Sequence, residues 1–216
     1  MMARMTNPSR LRGARELALG AAALVAVVAA LGAASASVTM TPYENSEFRF
    51  TVALPGGCRH EEGPGTVEAV CASELDPEKS AVAAAAASLV LEVGAEAKPD
   101  DRGKPPPVLA EQYGDSQFKE ELPEAICGEA DKARVKIEQV KKVLEDARVV
   151  YTADVACSEI RFLGLGERRA TVRMVITPGV RYRLMARALK DDFEKQKETV
   201  DAFLASFRVL PGERKN

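Results

Sequence analysis

Four cysteines are the residues of this 216-residue chain most able to do chemistry: Cys58, Cys71, Cys127 and Cys157. Redox enzymes use a Cys-x-x-Cys pair, and structural zinc sites need Cys or His ligands at short, regular spacings. The sequence has neither pattern and contains a single histidine, His60. Two structural disulfides are therefore the favoured interpretation if the chain enters an oxidising compartment.

Four cysteines allow three disulfide pairings. Cys58 and Cys71 flank a Gly/Pro-rich loop between two strand-like runs, so the sequence favours 58–71 and 127–157. Crossed pairings stay open at this point.

The N-terminal segment predicts export. Four arginines precede an uncharged stretch over residues 17–43, and the first half of that stretch is rich in Ala, Leu and Val. The small residues Ala34 and Ala36 fit a signal-peptidase site, so we predict cleavage after Ala36 and a periplasmic or secreted protein. An uncleaved membrane anchor remains the alternative, because the uncharged stretch is long enough to span a bilayer.

Residues for acid–base catalysis are few. His60 lies in the loop between the first two cysteines, and the adjacent carboxylates 61–62 and 100–101 also lie in predicted loops. The sequence has no Gly-x-Ser-x-Gly, no phosphate-binding loop and no paired-His metal motif. We therefore predict no catalytic, cofactor-binding or metal-binding residues, and a hydrolase that uses carboxylates alone is kept as a remote alternative.

The composition limits the partners. The chain has 30 basic and 32 acidic residues, for a net charge of −2, and 46% of its residues are hydrophobic. This balance excludes a strongly basic nucleic-acid binder and a wholly disordered chain. No cofactor is expected, and the mature chain is expected to have no membrane span.

Hydrophobic periodicity predicts an α+β fold with a central antiparallel meander. Strands are predicted over 48–54 and 66–72, as hairpin partners, and four more over 133–188, with a bulge near Glu138-Gln139. Residues 149, 151, 153, 155 and 157 form one inward row. Helices are predicted over 108–122, closed by Pro123, and along a terminal stripe of aromatic and aliphatic residues. The members of that stripe are Phe193, Val200, Phe203 and Phe207.

One hairpin suggests a binding face. An odd-length loop around Pro178-Gly179 would align the apolar rows of its two strands, and four arginines would then share the opposite face. These are Arg173, Arg181, Arg183 and Arg187. They are candidates for an anion or an acidic partner, although a solvated outer face is the more ordinary outcome.

The predicted organisation has one folded domain. We assign 1–36 to a signal peptide, 37–46 to a linker, 47–210 to a single α+β domain and 211–216 to a charged tail. Within the domain, residues 94–107 are charged and Pro-rich, which predicts a mobile loop.

The two ends of the domain resemble the PsbP-like superfamily. A first strand of the form Phe-x-Phe-x-x-x-Leu-Pro begins at Phe48, and a terminal helix ends in the run 203–209, FLASFRV. This superfamily includes the photosystem II extrinsic subunit and a Ran-binding nuclear import factor. The resemblance implies a central antiparallel sheet with helices packed on its faces, and members that mostly act as binding or assembly modules without catalysis.

The leading hypothesis is an exported, non-catalytic accessory module of the cell envelope that binds an envelope protein through its surface. A structural or stress-related envelope protein with no specific ligand is the second hypothesis, and the carboxylate hydrolase is the third.

Overall fold

A computed structural model describes residues 39–71, 89–127, 135–145, 147–161 and 164–211. All of them belong to one compact unit, Val38–Asn216. The predicted signal peptide lies outside the described residues. So does Asp76-Pro77-Glu78, which the sequence predicts as a helix start because proline stands at its first helical position.

The described chain contains ten strands and four α-helices. The strands are β1 (Met40–Asn45), β2 (Phe50–Pro55), β3 (Arg59–Gly63), β4 (Thr66–Cys71), β5 (Leu89–Ala97), β6 (Val135–Glu145), β7 (Arg148–Arg161), β8 (Gly164–Thr177), β9 (Val180–Leu189) and β10 (Arg208–Val209). The helices are α1 (Pro106–Gln112), α2 (Asp115–Cys127), α3 (Lys190–Lys195) and α4 (Lys197–Ser206), with a 3-10 turn at Pro99–Asp101.

Seven strands form a large antiparallel sheet in the order β3-β4-β5-β9-β8-β7-β6. The predicted meander is confirmed as β6 to β9. The predicted bulge is also present, because the pairing of β6 with β7 shifts between Glu138 and Lys141 and Gln139 has a positive φ of 50°. A bulge inserts an extra residue and re-aims the side chains that follow it.

A second sheet has the order β1-β2-β10. The predicted hairpin of 48–54 with 66–72 is therefore wrong, since β2 pairs with β1 and β10 whereas β4 pairs with β3 and β5. The predicted loop after Cys58 forms β3. The predicted linker 37–46 contains β1, so the folded domain begins earlier than the sequence suggested.

Both faces of the large sheet are covered. One face, which we call the α4 face, is covered by the three-stranded sheet and α4, and Tyr182 and Leu184 of β9 pack beneath them. The rings of Phe50 and Phe207 contact the Tyr182 ring edge-on. Phe203 of α4 is fully buried there. The Phe stripe is thus in the core, although a break at Gln196 divides the predicted helix into α3 and α4.

The opposite face, which we call the α1 face, carries the row 149, 151, 153, 155 and 157 of β7, all buried as predicted. Helices α1 and α2 cover it, with Phe118 stacked on Tyr151. The single helix predicted over 108–122 is in fact two, separated at Tyr113-Gly114, and Pro123 lies inside α2 rather than at its end. Glycine is a poor helix former, which accounts for the break.

The segment predicted as a mobile loop contains regular structure. Residues up to Ala97 continue β5, the 3-10 turn follows, and α1 begins at Pro106. Lys98 donates its backbone N–H to Gly179 O at 2.8 Å, and Asp101 is buried. Composition predicted a loop because the segment lacks apolar residues, but the structure anchors it through polar contacts.

Candidate functional site

The register of β8 and β9 determines where the four predicted arginines lie. A two-residue Pro178-Gly179 turn pairs Thr177 with Val180, so Arg173 lies opposite Leu184 on the α4 face. The predicted odd-length loop is wrong. The prediction assumed that one face of the hairpin is buried and the other solvated, whereas both faces are covered and apolar residues occupy both rows.

Arg181, Arg183 and Arg187 remain together on the α1 face, but glutamates neutralise them. The pairs are Arg181 with Glu96 at 2.7 Å and Glu121 at 2.9 Å, Arg183 with Glu92 at 2.8 Å, and Arg187 with Glu68 at 3.9 Å. An external anion would have to displace these carboxylates, which weakens the case for this face as an anion site.

Arg173 is in a different electrostatic environment. Its Nη1 donates to Leu204 O at 3.1 Å, and no carboxylate oxygen of the described residues lies within 4.0 Å of its guanidinium. Burial lowers the pKa of Arg173, and the neighbouring cations Arg148 and Arg208 lower it further, while Glu145 opposes them. An uncompensated, half-buried cation favours a nearby anion.

A groove of about 480 Å³ lies on this face, and two of its lining residues, Arg148 and Glu145, interact electrostatically with Arg173. It is formed where the β6–β7 turn, the β8–β9 turn and the segment after α4 meet. Its lining residues are Glu145, Ala147, Arg148, Thr177, Pro178, Val209, Leu210 and Pro211. Arg148 pairs with Glu145 inside the groove, so these two charges compensate each other.

Two more arginines adjoin lining residues of the groove, since Arg49 contacts Leu210 and Pro211 and Arg208 directly precedes Val209. The guanidinium of Arg49 donates to Pro211 O, and the backbone N–H of Leu210 donates to Arg49 O at 2.7 Å. Arg208 Nη1 donates to Ala205 O at 2.5 Å and to Phe207 O at 2.7 Å. Within the described part of the chain, neither arginine has a carboxylate partner within 4.0 Å.

The backbone at Arg49 is unusual. Its φ is 57°, a left-handed conformation that non-glycine residues rarely adopt, and its Nε is buried without a hydrogen-bond partner. Such an arrangement persists only where the surroundings hold it in place. Here the backbone hydrogen bond to Leu210 and the contact with Pro211 do so.

Of this cluster, sequence reasoning singled out Arg173 alone. Arg49, Arg148, Arg173 and Arg208 lie on four separate strands or turns, so no local spacing connects them. The sequence offers one indirect signal. Arg208 directly follows the terminal Phe stripe, which is predicted to pack against the sheet.

The histidine and the adjacent carboxylates that were weighed for acid–base catalysis do not converge. His60 Nε2 lies 3.3 Å from Pro55 O, and its neighbours Glu61 and Glu62 are exposed on β3. Asp100 is exposed whereas Asp101 is buried. No three His, Cys, Asp or Glu side chains are grouped to hold a metal ion anywhere in the described ranges.

The cysteines occupy two positions in the fold. Cys58 and Cys71 form a disulfide with a Cα–Cα distance of 4.3 Å, because the β3–β4 hairpin places them opposite each other. Cys157 is buried on the α1 face and is also disulfide-bonded. The side chain of Cys127, its predicted partner, lies outside the described residues.

Comparison with known proteins yields likenesses of fold. No family model matches the sequence, and no curated protein matches it. The solution structure of cyanobacterial PsbP from Synechocystis sp. PCC 6803 matches with a TM-score of 0.51 and 16% identity, over 82% of this chain and 96% of that one. LpqN, which is involved in cell envelope biogenesis of Mycobacterium tuberculosis, matches with a TM-score of 0.48 and 11% identity, over 81% and 92% of the two chains.

Identity of 16% to cyanobacterial PsbP carries information about the fold and not about residues of the site. The antiparallel sheet with helices on both faces is the arrangement that the sequence resemblance implied, and the described domain has the PsbP-like α+β fold.

Proposed function

We propose that this chain is an exported accessory protein of the cell envelope that performs no catalysis and binds another protein through the α4 face. Its binding surface comprises the groove beside the segment after α4 and the neighbouring part of β6. The PsbP-like resemblance implies a binding or assembly module without catalysis, and the N-terminal segment and the cysteines support export.

The observation that carries the proposal is the contrast between two sets of arginines. On the α1 face, Arg181 and Arg183 are each paired with glutamates at less than 3 Å. On the α4 face, Arg49, Arg173 and Arg208 have no carboxylate partner among the described residues. Arginine is enriched at protein–protein interfaces, where a partner supplies the missing acceptors.

Nothing at the groove favours the hydrolase alternative. A glycosidase needs two carboxyl groups facing each other across a cleft. Glu145 is the one carboxylate among the described residues that line the groove, and Arg148 neutralises it.

Export is supported by the cysteines and by the sequence of the first 36 residues. The Cys58–Cys71 disulfide is the kind of bond that persists in oxidising compartments. Among the described residues, no helix has the length and apolar character needed to cross a membrane.

Two adjacent residues of β6 allow a matched test. Val143 is 51% exposed and lies on the α4 face opposite Val150, whereas Leu144 is 54% exposed and lies on the α1 face opposite Val149. A photo-crosslinking amino acid would be placed at either position in the protein expressed in its own host. We expect an adduct of defined mass in the envelope fraction from position 143 and little or none from position 144.

Three results would contradict the proposal. Equal labelling from both positions would mean nonspecific contact, and no adduct from either would favour the structural or stress-related alternative. An adduct from position 144 alone would move the interface to the α1 face. Thermal unfolding of both labelled proteins serves as the folding control.

A further inference from the structure

The charges that line the groove cancel, and two arginines beside it add a positive excess. Arg148 and Glu145 cancel each other. Arg173 interacts electrostatically with both of these groove residues and with Arg208, and neither Arg173 nor Arg208 has a carboxylate partner among the described residues. The local excess is therefore cationic although the whole chain carries a net charge of −2.

These arginines also present usable donors. A guanidinium has five N–H donors, and its planar fork matches the two oxygens of a carboxylate. Arg173 has one hydrogen bond to Leu204 O, and Arg208 has two hydrogen bonds to main-chain oxygens, both from Nη1. Each guanidinium therefore retains donors for a ligand.

The rest of the groove is apolar. Ala147, Pro178, Val209, Leu210 and Pro211 line it, and the hydroxyl of Thr177 is already donated to Val180 O at 2.8 Å. A volume of about 480 Å³ is within the range of ligand-binding clefts. An apolar wall beside cations suits a peptide that alternates carboxylate and aliphatic side chains better than it suits a small hydrophilic anion.

Nucleic acid and anionic membranes are poorer matches. Both require an extended basic surface, because each contact neutralises one of many regularly spaced charges. The cluster here is compact, and glutamates neutralise the arginines on the other face of the sheet.

We propose that the groove binds an acidic segment of the partner protein, with the unpaired donors of Arg173 and Arg208 receiving its carboxylates. This inference rests on the proposed function and specifies the chemistry of its binding surface. The carboxylate of Glu145, already paired with Arg148, shows the kind of contact that the segment would extend.

The test uses a fluorescent peptide in which Glu alternates with Leu, and a control peptide with Gln in place of every Glu. Anisotropy is measured on the purified protein at low and high salt. We expect binding of the Glu peptide alone, weakened by salt because the attraction is between charges. Arg173→Gln and Arg208→Gln should each weaken it about tenfold or more, the usual effect of losing a hydrogen bond between charged groups.

Arg183→Gln is the matched control. It removes a charge from the same sheet but from the opposite face, where Glu92 is its partner. Its affinity for the peptide should equal that of the parent protein. Unchanged thermal midpoints for the two groove variants would exclude unfolding as the cause of their weaker binding.

Three outcomes would overturn the inference. The first is no binding of the Glu peptide, and the second is an equal loss of peptide affinity in Arg183→Gln. The third is displacement of the labelled Glu peptide by inorganic phosphate at the same concentration at which unlabelled Glu peptide displaces it. The crosslinking result is independent. An adduct from position 143 without peptide binding would leave the proposed function standing and refute its acidic chemistry. Peptide binding without an adduct from position 143 would support the acidic chemistry of the groove and refute the proposed function.

Discussion

The hydroxyl of Tyr113 donates a 2.6 Å hydrogen bond to Asp101 Oδ2 and ties the end of α1 to the turn that precedes it. Gln112 Nε2 and Lys104 Nζ donate to the other carboxylate oxygen, each at 2.9 Å. Burial alone would raise the pKa of Asp101, but the three hydrogen bonds outweigh it and lower the pKa. Burial and the bond to Asp101 raise the pKa of Tyr113 to about 12.

Asp101 should make the stability of the domain depend on pH. Its folded pKa lies below the ordinary value of 3.8, so its contribution is present above that value and is lost as the pH falls through the folded pKa. Asp101→Asn should cost about 1–3 kcal/mol at neutral pH, the penalty for weakening a buried hydrogen-bond network. Urea midpoints measured between neutral and strongly acidic pH should fall less steeply for the variant. If the urea midpoints of the parent and the variant fell equally with pH, Asp101 would not be the source of the pH dependence.

Phe203→Ala tests the packing of the terminal helix. Phe203 is fully buried in the cluster under α4, and removing a buried Phe side chain costs about 3–5 kcal/mol. The denaturant midpoint should fall accordingly, whereas Lys197→Ala on the exposed side of the same helix should change it little. Similar midpoints for both variants would mean that α4 is peripheral to the core.

The local patterns in the sequence predicted the elements whose residues are neighbours along the chain. The meander, the bulge at Glu138-Gln139 and the buried row of β7 follow from alternation within one segment. The Phe stripe likewise predicted burial, although not the break at Gln196. In these elements the hydrophobic period and the tertiary fold agree.

The predicted register of β8 with β9 was wrong for a physical reason. A hydrophobic row specifies register when one face is buried and the other is wet. Here Leu184 and Met185 are both buried, on opposite faces, so the pattern alone does not decide. The candidate site was missed for a related reason, since Arg49, Arg148 and Arg208 meet through contacts between distant segments.

Limited proteolysis tests whether residues 94–107 remain mobile despite their contacts. Arg102 is exposed and is followed by Gly103 at a φ of 75°, so we expect the first tryptic cut after Arg102. Lys104 should resist, because its ammonium pairs with Asp101 at 2.9 Å and Pro105 follows it. Mass spectrometry of brief digests would identify the cut, and early cleavage within β6 to β9 would contradict the single-domain assignment.

Sequencing of the mature N-terminus tests export. Cleavage after Ala36 should give a chain that begins at Ser37, three residues before β1. The sample is the protein recovered from the envelope fraction, with a signal-peptidase-resistant variant at Ala34 and Ala36 as the control. A parent protein that still begins at Met1 would favour the anchor alternative.

Mass mapping of a non-reduced digest tests the disulfides. We expect a linked peptide pair for 58–71, which the structure shows, and another for 127–157, which remains a prediction.

Removing the first bridge by Cys58→Ser with Cys71→Ser should lower the free energy of unfolding by about 3 kcal/mol, because the bridge limits the freedom of the unfolded loop. The unfolding midpoint should fall while the peptide affinity of the groove is kept, since the groove residues lie on β6 to β8 and after α4, away from the β3–β4 hairpin. Crossed linkages in the digest would overturn the pairing, and a free thiol at Cys157 would contradict its bonded state.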